Sequence, residues 1–455
     1  MKKNKSPWIH QLDKERVFSP LGEDLETEIA VVGAGIAGVS TCFFLLENTD
    51  KDVVLLEGGK LAHGATGHNA GQITSYFERS LSDIADEFGV LMAKAGQEAI
   101  ESAWELLDEM YTRAGLDIPM SRFLGHAGIV DLEVVLQFLK DNHFKKTVGL
   151  QTEEIFVSDD FESLGEIPEE FSNLYRIVPQ EDILGRLETR DRRFIASASK
   201  QKGCLNSALF CQEVMAYLLK SYSDRLKFFE NTHIGKIVLR HDSALLDAGN
   251  HTLKSEKVIL CTNGFENMHI LNESGLDIDT RYHHDVRGVI GFMSGYLKPL
   301  DKPPTAISYI YKSDSELDGE YFYLTRRQFE YEGSPDLNLI SIGGPEIALD
   351  ERSIYTSERD YPEVAEKSID DFARNIFEGD SEKQIDYIFR WHGLMGYTTN
   401  KIRLIGEEPK NHVLLYNLGC NGIGILPSIY GGKRISRIIA GEQMELSIFD
   451  PRVGV

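Results

Sequence analysis

The chain has 455 residues, with 48 Lys and Arg against 72 Asp and Glu, a formal charge of −24. Hydrophobic residues make up 42% and charged residues 26%, with 40 Gly and 14 Pro, which excludes the collagen, coiled-coil and disordered classes. The acidic balance leaves no broad electropositive surface for nucleic acid or anionic lipid, and the length allows two or three domains of roughly 100–200 residues.

In chain order, the N-terminus carries Lys2, Lys3 and Lys5 but reaches Asp13, Lys14, Glu15 and Arg16 before any apolar run, so it does not read as a secretory signal. Cys42, Cys204, Cys211, Cys261 and Cys420 are scattered, without CxxC or Cys/His ligand spacing. No metal site is expected, and reduced thiols point to a cytoplasmic location. Ile29 to Leu46 is an uncharged run that approaches the length of a membrane span. Gly33, Gly35 and Gly38 interrupt it, and a buried parallel strand running into a helix gives the same pattern.

The strand reading carries chemistry. Glu28 to Val32 forms the strand, Gly33-Ala34-Gly35-Ile36-Ala37-Gly38 has GxGxxG spacing, Val39 to Leu46 continues as a helix, and Glu57 ends a second apolar strand, Val53 to Leu56. Gly33 permits the tight turn, Gly35 the approach of a pyrophosphate, and Gly38 close helix–strand packing; the helix N-terminus, at Ile36 and Ala37, favours the phosphate charge, and Glu57 accepts from ribose hydroxyls. The alternative is a structural turn in an unliganded α/β domain. Gly58 to Gln72 follows as a loop of small residues, including Ala65-Thr66-Gly67-His68-Asn69-Ala70-Gly71-Gln72, suited to lying against a flat ligand.

Leu81 to Gly115 has apolar residues at helical spacing and reads as an amphipathic helix pair. Ser121 to Arg193 mixes strands and helices, with Asp159 to Glu170 a solvated loop. Gly203 to Tyr222 reads as a helix, and Arg225 to Phe265 as alternating strands ending in Lys257 to Leu260, then Cys261-Thr262-Asn263-Gly264-Phe265. Four further strand signals, Gly288–Tyr296, Ala306–Lys312, Tyr321–Arg326 and Leu337–Gly343, suggest an antiparallel sheet. Near the C-terminus stand Trp391-His392-Gly393-Leu394-Met395-Gly396-Tyr397-Thr398-Thr399-Asn400 and the glycine-rich turn Leu418-Gly419-Cys420-Asn421-Gly422-Ile423-Gly424-Ile425-Leu426-Pro427, with a helix from Ser428 to Gly441. His283-His284 has no partner at ligand spacing.

Four of these stretches, taken together and in this order, resemble the FAD-dependent D-amino acid oxidase superfamily, especially its glycine oxidase and gamma-glutamylputrescine oxidase branch: the GxGxxG unit, GATGHNAGQ, the strand-to-turn at Lys257–Phe265, and the C-terminal pair of motifs. The resemblance implies an α/β fold, with a Rossmann-like FAD domain on a parallel sheet and a second α+β domain whose antiparallel sheet roofs the flavin. The domains would be discontinuous: 1–80, 194–265 and 387–455 for FAD, 81–193 and 266–386 for the substrate. It adds Ile234 over the adenine, Cys261, Thr262, Asn263 and Gly264 at the pyrophosphate, and Gly393, Asn421, Gly422, Ile423, Gly424 and Ile425 at the flavin ring.

The implied reaction is hydride transfer from the carbon beside the nitrogen of an amine or amino acid to flavin N5, giving an imine that hydrolyses, with O2 or another acceptor reoxidising the flavin. Candidate substrate contacts are Tyr321, Tyr323, Arg326 as a carboxylate clamp, and His392 facing the flavin. Arg326 would equally end a strand in solvent, His392 would equally be structural, and Arg287 would pair with Asp285. The sequence departs from the family at Thr398-Thr399-Asn400, where T-P-D is usual, and at Arg403, where proline is common. Gly393 stands where some relatives tether flavin through cysteine, so FAD is expected to be non-covalent; His68, in an H-x-A-G context, is the one alternative attachment point. An NAD-dependent dehydrogenase and a non-catalytic flavin-binding subunit are the other readings. The acidity further suggests that a polyamine-like cation would be steered in more readily than an anionic amino acid.

Overall fold

A computed structural model describes residues 4–264, 268–278, 286–311, 321–350 and 355–453. Lys2, Lys3, Phe265, His283, His284, Asp285 and Lys312, which the sequence analysis touches on, lie outside the described residues.

Two sheets organise the chain. The first has nine strands. At its centre Leu25–Val32 runs parallel to both Thr252–Leu260 and Val53–Leu56, and Val53–Leu56 runs parallel to Leu226–Phe229. Asn411–Leu418 joins Thr252–Leu260 in parallel on one side, while Ala244–Asp247 and Lys236–Leu239 extend the sheet by antiparallel pairing. The central strands have their apolar residues buried on both faces, which is why they read as continuous hydrophobic runs.

The uncharged run that resembled a membrane span is the last half of Leu25–Val32 followed by the helix Ile36–Asn48, of 13 residues and buried from Ile36 to Leu46. Among the described residues no helix is long and apolar enough to cross a membrane. Against that helix packs Ile425–Ile439, and small residues allow the approach: a Cβ on Gly432 would stand 2.7 Å from the Ser40 backbone. Ser40 Oγ donates to the carbonyls of Ile36 and Ser428, tying the two helices together.

The second sheet has ten strands, in the order Phe389–Tyr397, Arg287–Pro299, Leu337–Ala348, Tyr321–Gln328, Thr305–Ile310, Met120–Ile129, Ala196–Leu205, Glu154–Ser158 and Arg176–Val178, with Gln72–Ile73 beside Ala196–Leu205. The four strand signals from Gly288 to Gly343 are adjacent and antiparallel, as their spacing suggests. The helix pair is Leu81–Phe88 and Val90–Ala114, broken at Gly89, whose φ is 88°.

Sheet membership departs from the expected boundaries at four strands. Gln72–Ile73, Ala196–Leu205 and Phe389–Tyr397, assigned by position to the nucleotide domain, pair within the second sheet, and His269–Asn272 pairs in the first. The expected helix from Gly203 begins only at Ser207, because Gly203 to Leu205 finish a strand paired with Met120–Arg122 and Asn206 caps the helix by accepting from the Ala208 and Leu209 amides. At the other end of the chain the last helix opens at Ile425, three residues before the sequence suggests.

Candidate active site

The glycine positions gather where the two sheets meet. Gly33 follows the strand Leu25–Val32 at φ 101°, and a Cβ there would stand 2.7 Å from the Cys261 carbonyl oxygen. A Cβ on Gly38 would fall 1.8 Å from the Gly33 oxygen, so Gly38 serves the helix–strand packing and does not line the cleft. Thr66 Oγ1 accepts from the Ile36 amide at 2.9 Å and lies 2.9 Å from where a Gly35 Cβ would be. The loop therefore caps the helix whose N-terminus faces the cleft.

Around this turn lies a cleft of ≈ 430 Å³, within the roughly 300–1,000 Å³ range of ligand sites. Of the expected cofactor residues it is lined by Gly33, Gly35, Ile36, Ala37, Glu57, Gly58, Ala65, Thr66, His68, Asn69, Ala70, Gly71, Gln72, Ile234, Cys261, Thr262, Asn263, Gly393, Gly422, Ile423, Gly424 and Ile425. Gly264 borders the adjoining chamber instead. Asn421 stays behind the wall at φ 47°: its Oδ1 accepts from the Thr398 amide and hydroxyl, which shapes the closing turn.

Glu57 accepts from the amides of Ala34 at 2.8 Å and Gly59 at 2.7 Å, and burial pushes its carboxyl above the ordinary value against those two bonds. His68 Nδ1 donates to the Gly64 carbonyl at 2.9 Å. Desolvation lowers its imidazole to about 4, so it is neutral with Nε2 bearing the lone pair. A Cβ on Gly393 would stand 2.6 Å from the His68 carbonyl oxygen, so the strand Phe389–Tyr397 lies with its backbone against this loop.

The departures from the family pattern are absorbed locally. Thr398 Oγ1 donates to the Ile402 carbonyl and Asn400 Oδ1 accepts from the Ile402 amide, closing the turn without proline. Arg403 lines the cleft, with Nε and Nη2 on the Asn417 side chain and carbonyl at 2.9 Å; burial lowers its guanidinium to about 10.

Two substrate-contact expectations need correction. Arg326 is buried on the far face of Tyr321–Gln328, where it pairs with Glu188 through both carboxylate oxygens at 2.8 and 2.7 Å and donates to the Pro303 carbonyl. Alternation carries it away from the cleft, and its donors are already engaged. His392 is also turned away: Nε2 donates to the Arg359 carbonyl at 2.9 Å, Nδ1 accepts from the Tyr355 hydroxyl at 3.0 Å, and Phe292 packs beside it. Tyr321 and Tyr323 do line the cleft.

Sequence reasoning missed several residues. Trp8 is wholly buried and donates from Nε1 to the Asn69 carbonyl at 2.6 Å, which Trp391 Nε1 also reaches at 3.2 Å. The N-terminal segment thus clamps the small-residue loop. Glu78 and Tyr397 converge on the closing turn: a Cβ on Gly422 would stand 2.9 Å from both Glu78 Oε1 and the Tyr397 hydroxyl. Among the described residues Glu78 has no hydrogen-bond or ion-pair partner, and burial raises its carboxyl above the ordinary value despite Lys200, Lys401 and Lys202 nearby. The dipeptide Glu78-Arg79 carries no motif that would have signalled this.

The cleft fits an extended dinucleotide on its own geometry, since side chains at Gly35, Gly71, Gly393 and Gly422 would fill it or displace its walls. A family model described as FAD dependent oxidoreductase (DAO) matches residues 28–438. Gamma-glutamylputrescine oxidoreductase of Escherichia coli strain K12 is 30% identical over 105 residues, a match that spans 23% of this chain and only 24% of that relative. Among solved structures, glycine oxidase from Geobacillus kaustophilus superposes with TM-score 0.66 at 16% identity, covering 94% of this chain and 98% of that one. L-proline dehydrogenase from P. horikoshii gives TM-score 0.66 at 15% identity, covering 94% and 97%. At such identities the two structures speak for the fold.

Proposed function

The chain belongs to the family of FAD-dependent oxidoreductases whose model covers residues 28–438, and from that membership we propose that it oxidises the carbon–nitrogen bond of an amine or amino acid bound beside Glu78. The carrying observation is that carboxyl: half-buried, unpartnered among the described residues, and set where the cleft opens into a second chamber. Gly33, Gly35 and the start of the helix Ile36–Asn48 would hold the pyrophosphate, Glu57 the ribose, and Gly393 with Gly422 to Ile425 the flavin ring. When bound there, FAD supplies the acceptor for the hydride of the substrate C–H bond.

The chain's own part is binding, orientation and one proton. An amine reaches the site mostly as an ammonium ion and must lose a proton before its lone pair can form the C=N bond. Glu78 accepts that proton; a carboxyl raised toward the operating pH is the better base for it. Tyr321, Tyr323 and Tyr397 wall the same space, and their hydroxyls are raised further, Tyr321 chiefly by the Glu78 charge and the other two by burial, so all three stay neutral. They orient the substrate without competing as bases. The imine then adds water and separates into a carbonyl compound and ammonia or an amine. In the same reading molecular oxygen or another acceptor reoxidises the cofactor, and the free thiols suit a cytoplasmic enzyme.

The test is to purify the protein, load it with FAD and expose it anaerobically to a panel of amines and amino acids. Loss of the oxidised-flavin absorbance with at least one of them is expected. A yellow protein that no member bleaches would remove the reading.

A further inference from the structure

We infer that Lys202, with Ser308, forms an anion subsite in the chamber beside the cleft, so that the amine oxidised there carries a carboxylate. This rests on the amine-oxidation reading and narrows it. The chamber, of ≈ 1,700 Å³, shares Glu78, Ser308, Tyr321, Glu346 and Tyr397 with the cleft. Alternation along Ala196–Leu205 turns Ala198, Lys200 and Lys202 toward it.

The two lysines differ in how they are satisfied. Lys200 pairs with Glu153 at 3.1 Å and lies over the Tyr76 ring, and Glu153 also takes Lys145 at 2.9 Å. That carboxylate is therefore already shared between two ammonium groups. Lys202 is 2% exposed, and its one hydrogen-bond partner among the described residues is Ser308 Oγ at 3.4 Å, with no carboxylate within ion-pair distance. Its stem is held in place, since a Cβ on Gly125 would come within 2.4 Å of Lys202 Cδ. Arg326, by contrast, has Glu188 as its counter-ion, whereas the buried Arg403 and Arg327 rest on the neutral side chains of Asn417 and Gln11.

An ammonium buried without a counter-ion is unfavourable unless a ligand supplies the missing charge. Desolvation and the neighbouring Lys200 lower Lys202 to about 7, and an arriving carboxylate would restore its charge. Ser308, which borders both cavities, places the subsite at their junction. With Glu78 at that same junction, the walls complement an ammonium and a carboxylate in one molecule. A diamine would set its second charge against Lys202.

FAD-loaded wild type and Lys202→Met are compared by anaerobic flavin-reduction titrations with glycine, 4-aminobutyrate, butylamine and 1,4-diaminobutane. An amino carboxylate should reduce the wild type at lower concentration than butylamine, and K202M should raise its apparent Kd about 10- to 100-fold while moving that of butylamine less than about twofold. A wild-type preference for the diamine, or equal losses for both substrate types, overturns the inference. Calorimetric titration with glutarate needs no turnover: binding lost in both K202M and K202Q supports the subsite, whereas no binding to wild type, or undiminished binding to the variants, overturns it. If no amine bleaches either protein, the amine reading falls and the glutarate titration alone decides the subsite. Thermal melting checks folding, and K202M should melt no lower than wild type, because it removes an unpaired buried charge.

Discussion

Glu78 and Glu153 border one chamber, yet their surroundings drive them in opposite directions. For Glu153 burial would raise the carboxyl, but Lys200 and Lys145 overcome it and hold the group at about 2. Among the described residues no cation pairs with Glu78, and burial prevails. A carboxyl whose folded-state value lies above its unfolded one stabilises nothing when ionised: its contribution is present at acid pH and is lost as pH rises through the folded value. Glu78→Gln should therefore gain thermal stability relative to wild type as pH is raised from about 5 to about 8, and it should lower kcat/KM by about 10²- to 10⁴-fold with loss of the acid limb of the pH profile. A variant that keeps the acid limb, or whose stability difference does not grow with pH, would show that Glu78 is not the proton acceptor. Glu188 shows the opposite case: burial raises it, but Arg326 and Lys302 bring it down to about 2. That pair is structural, and Arg326→Ala should destabilise by about 3–5 kcal/mol in chemical denaturation through the buried charge it strands.

At the scale of elements, the strand Phe389–Tyr397 shows what alternation decides. Trp391 and Gly393 face the small-residue loop while His392 faces Phe292 and Tyr355. Gly393→Ala would drive a Cβ into the His68 backbone, so it should cost about 1–3 kcal/mol of stability and lower FAD occupancy measured by absorbance. Gly165→Ala, with open space around it and no positive φ, should stay within about 0.5 kcal/mol of wild type. Equal behaviour of the two would show that the close approach at Gly393 is not required. The strand–glycine–helix unit was legible in the sequence because its parts are contiguous and each glycine answers a local steric demand. Period two correctly grouped Tyr321 with Tyr323 and separated them from Arg326, but the pattern does not say which group looks into the cleft. That depends on Leu337–Ala348 and Thr305–Ile310 pairing on either side. Trp8, Glu78 and Lys202 were not legible at all, since each acquires its role only where distant segments converge. Boundaries slipped at Ala196–Leu205 and Phe389–Tyr397 for a related reason: a strand's sheet is chosen by its partner, which local sequence does not name.

For the whole molecule, a formal charge of −24 and a lysine-bearing chamber wall act at different ranges. The net charge draws cations from a distance and is screened by salt, whereas a contact at Lys202 forms inside a low-dielectric pocket that salt barely reaches. Raising ionic strength from about 0.01 M to about 0.15 M shortens the screening length from about 30 to about 8 Å. Over that change kcat/KM for 1,4-diaminobutane should fall several-fold as its attraction is screened, while that for 4-aminobutyrate, which has no net charge, should hold steady. Their ratio would then move toward the amino carboxylate at physiological salt, where encounter is no longer biased and the fit at Glu78 and Lys202 decides. A ratio indifferent to salt would mean that the surface field does not reach the chamber mouth, leaving the acidity of the chain to solubility alone. A fall for both substrates together would instead locate the effect of salt in the protein and not in the approach of the ligand, a distinction that repeating the series with glycine, a second zwitterion, would make.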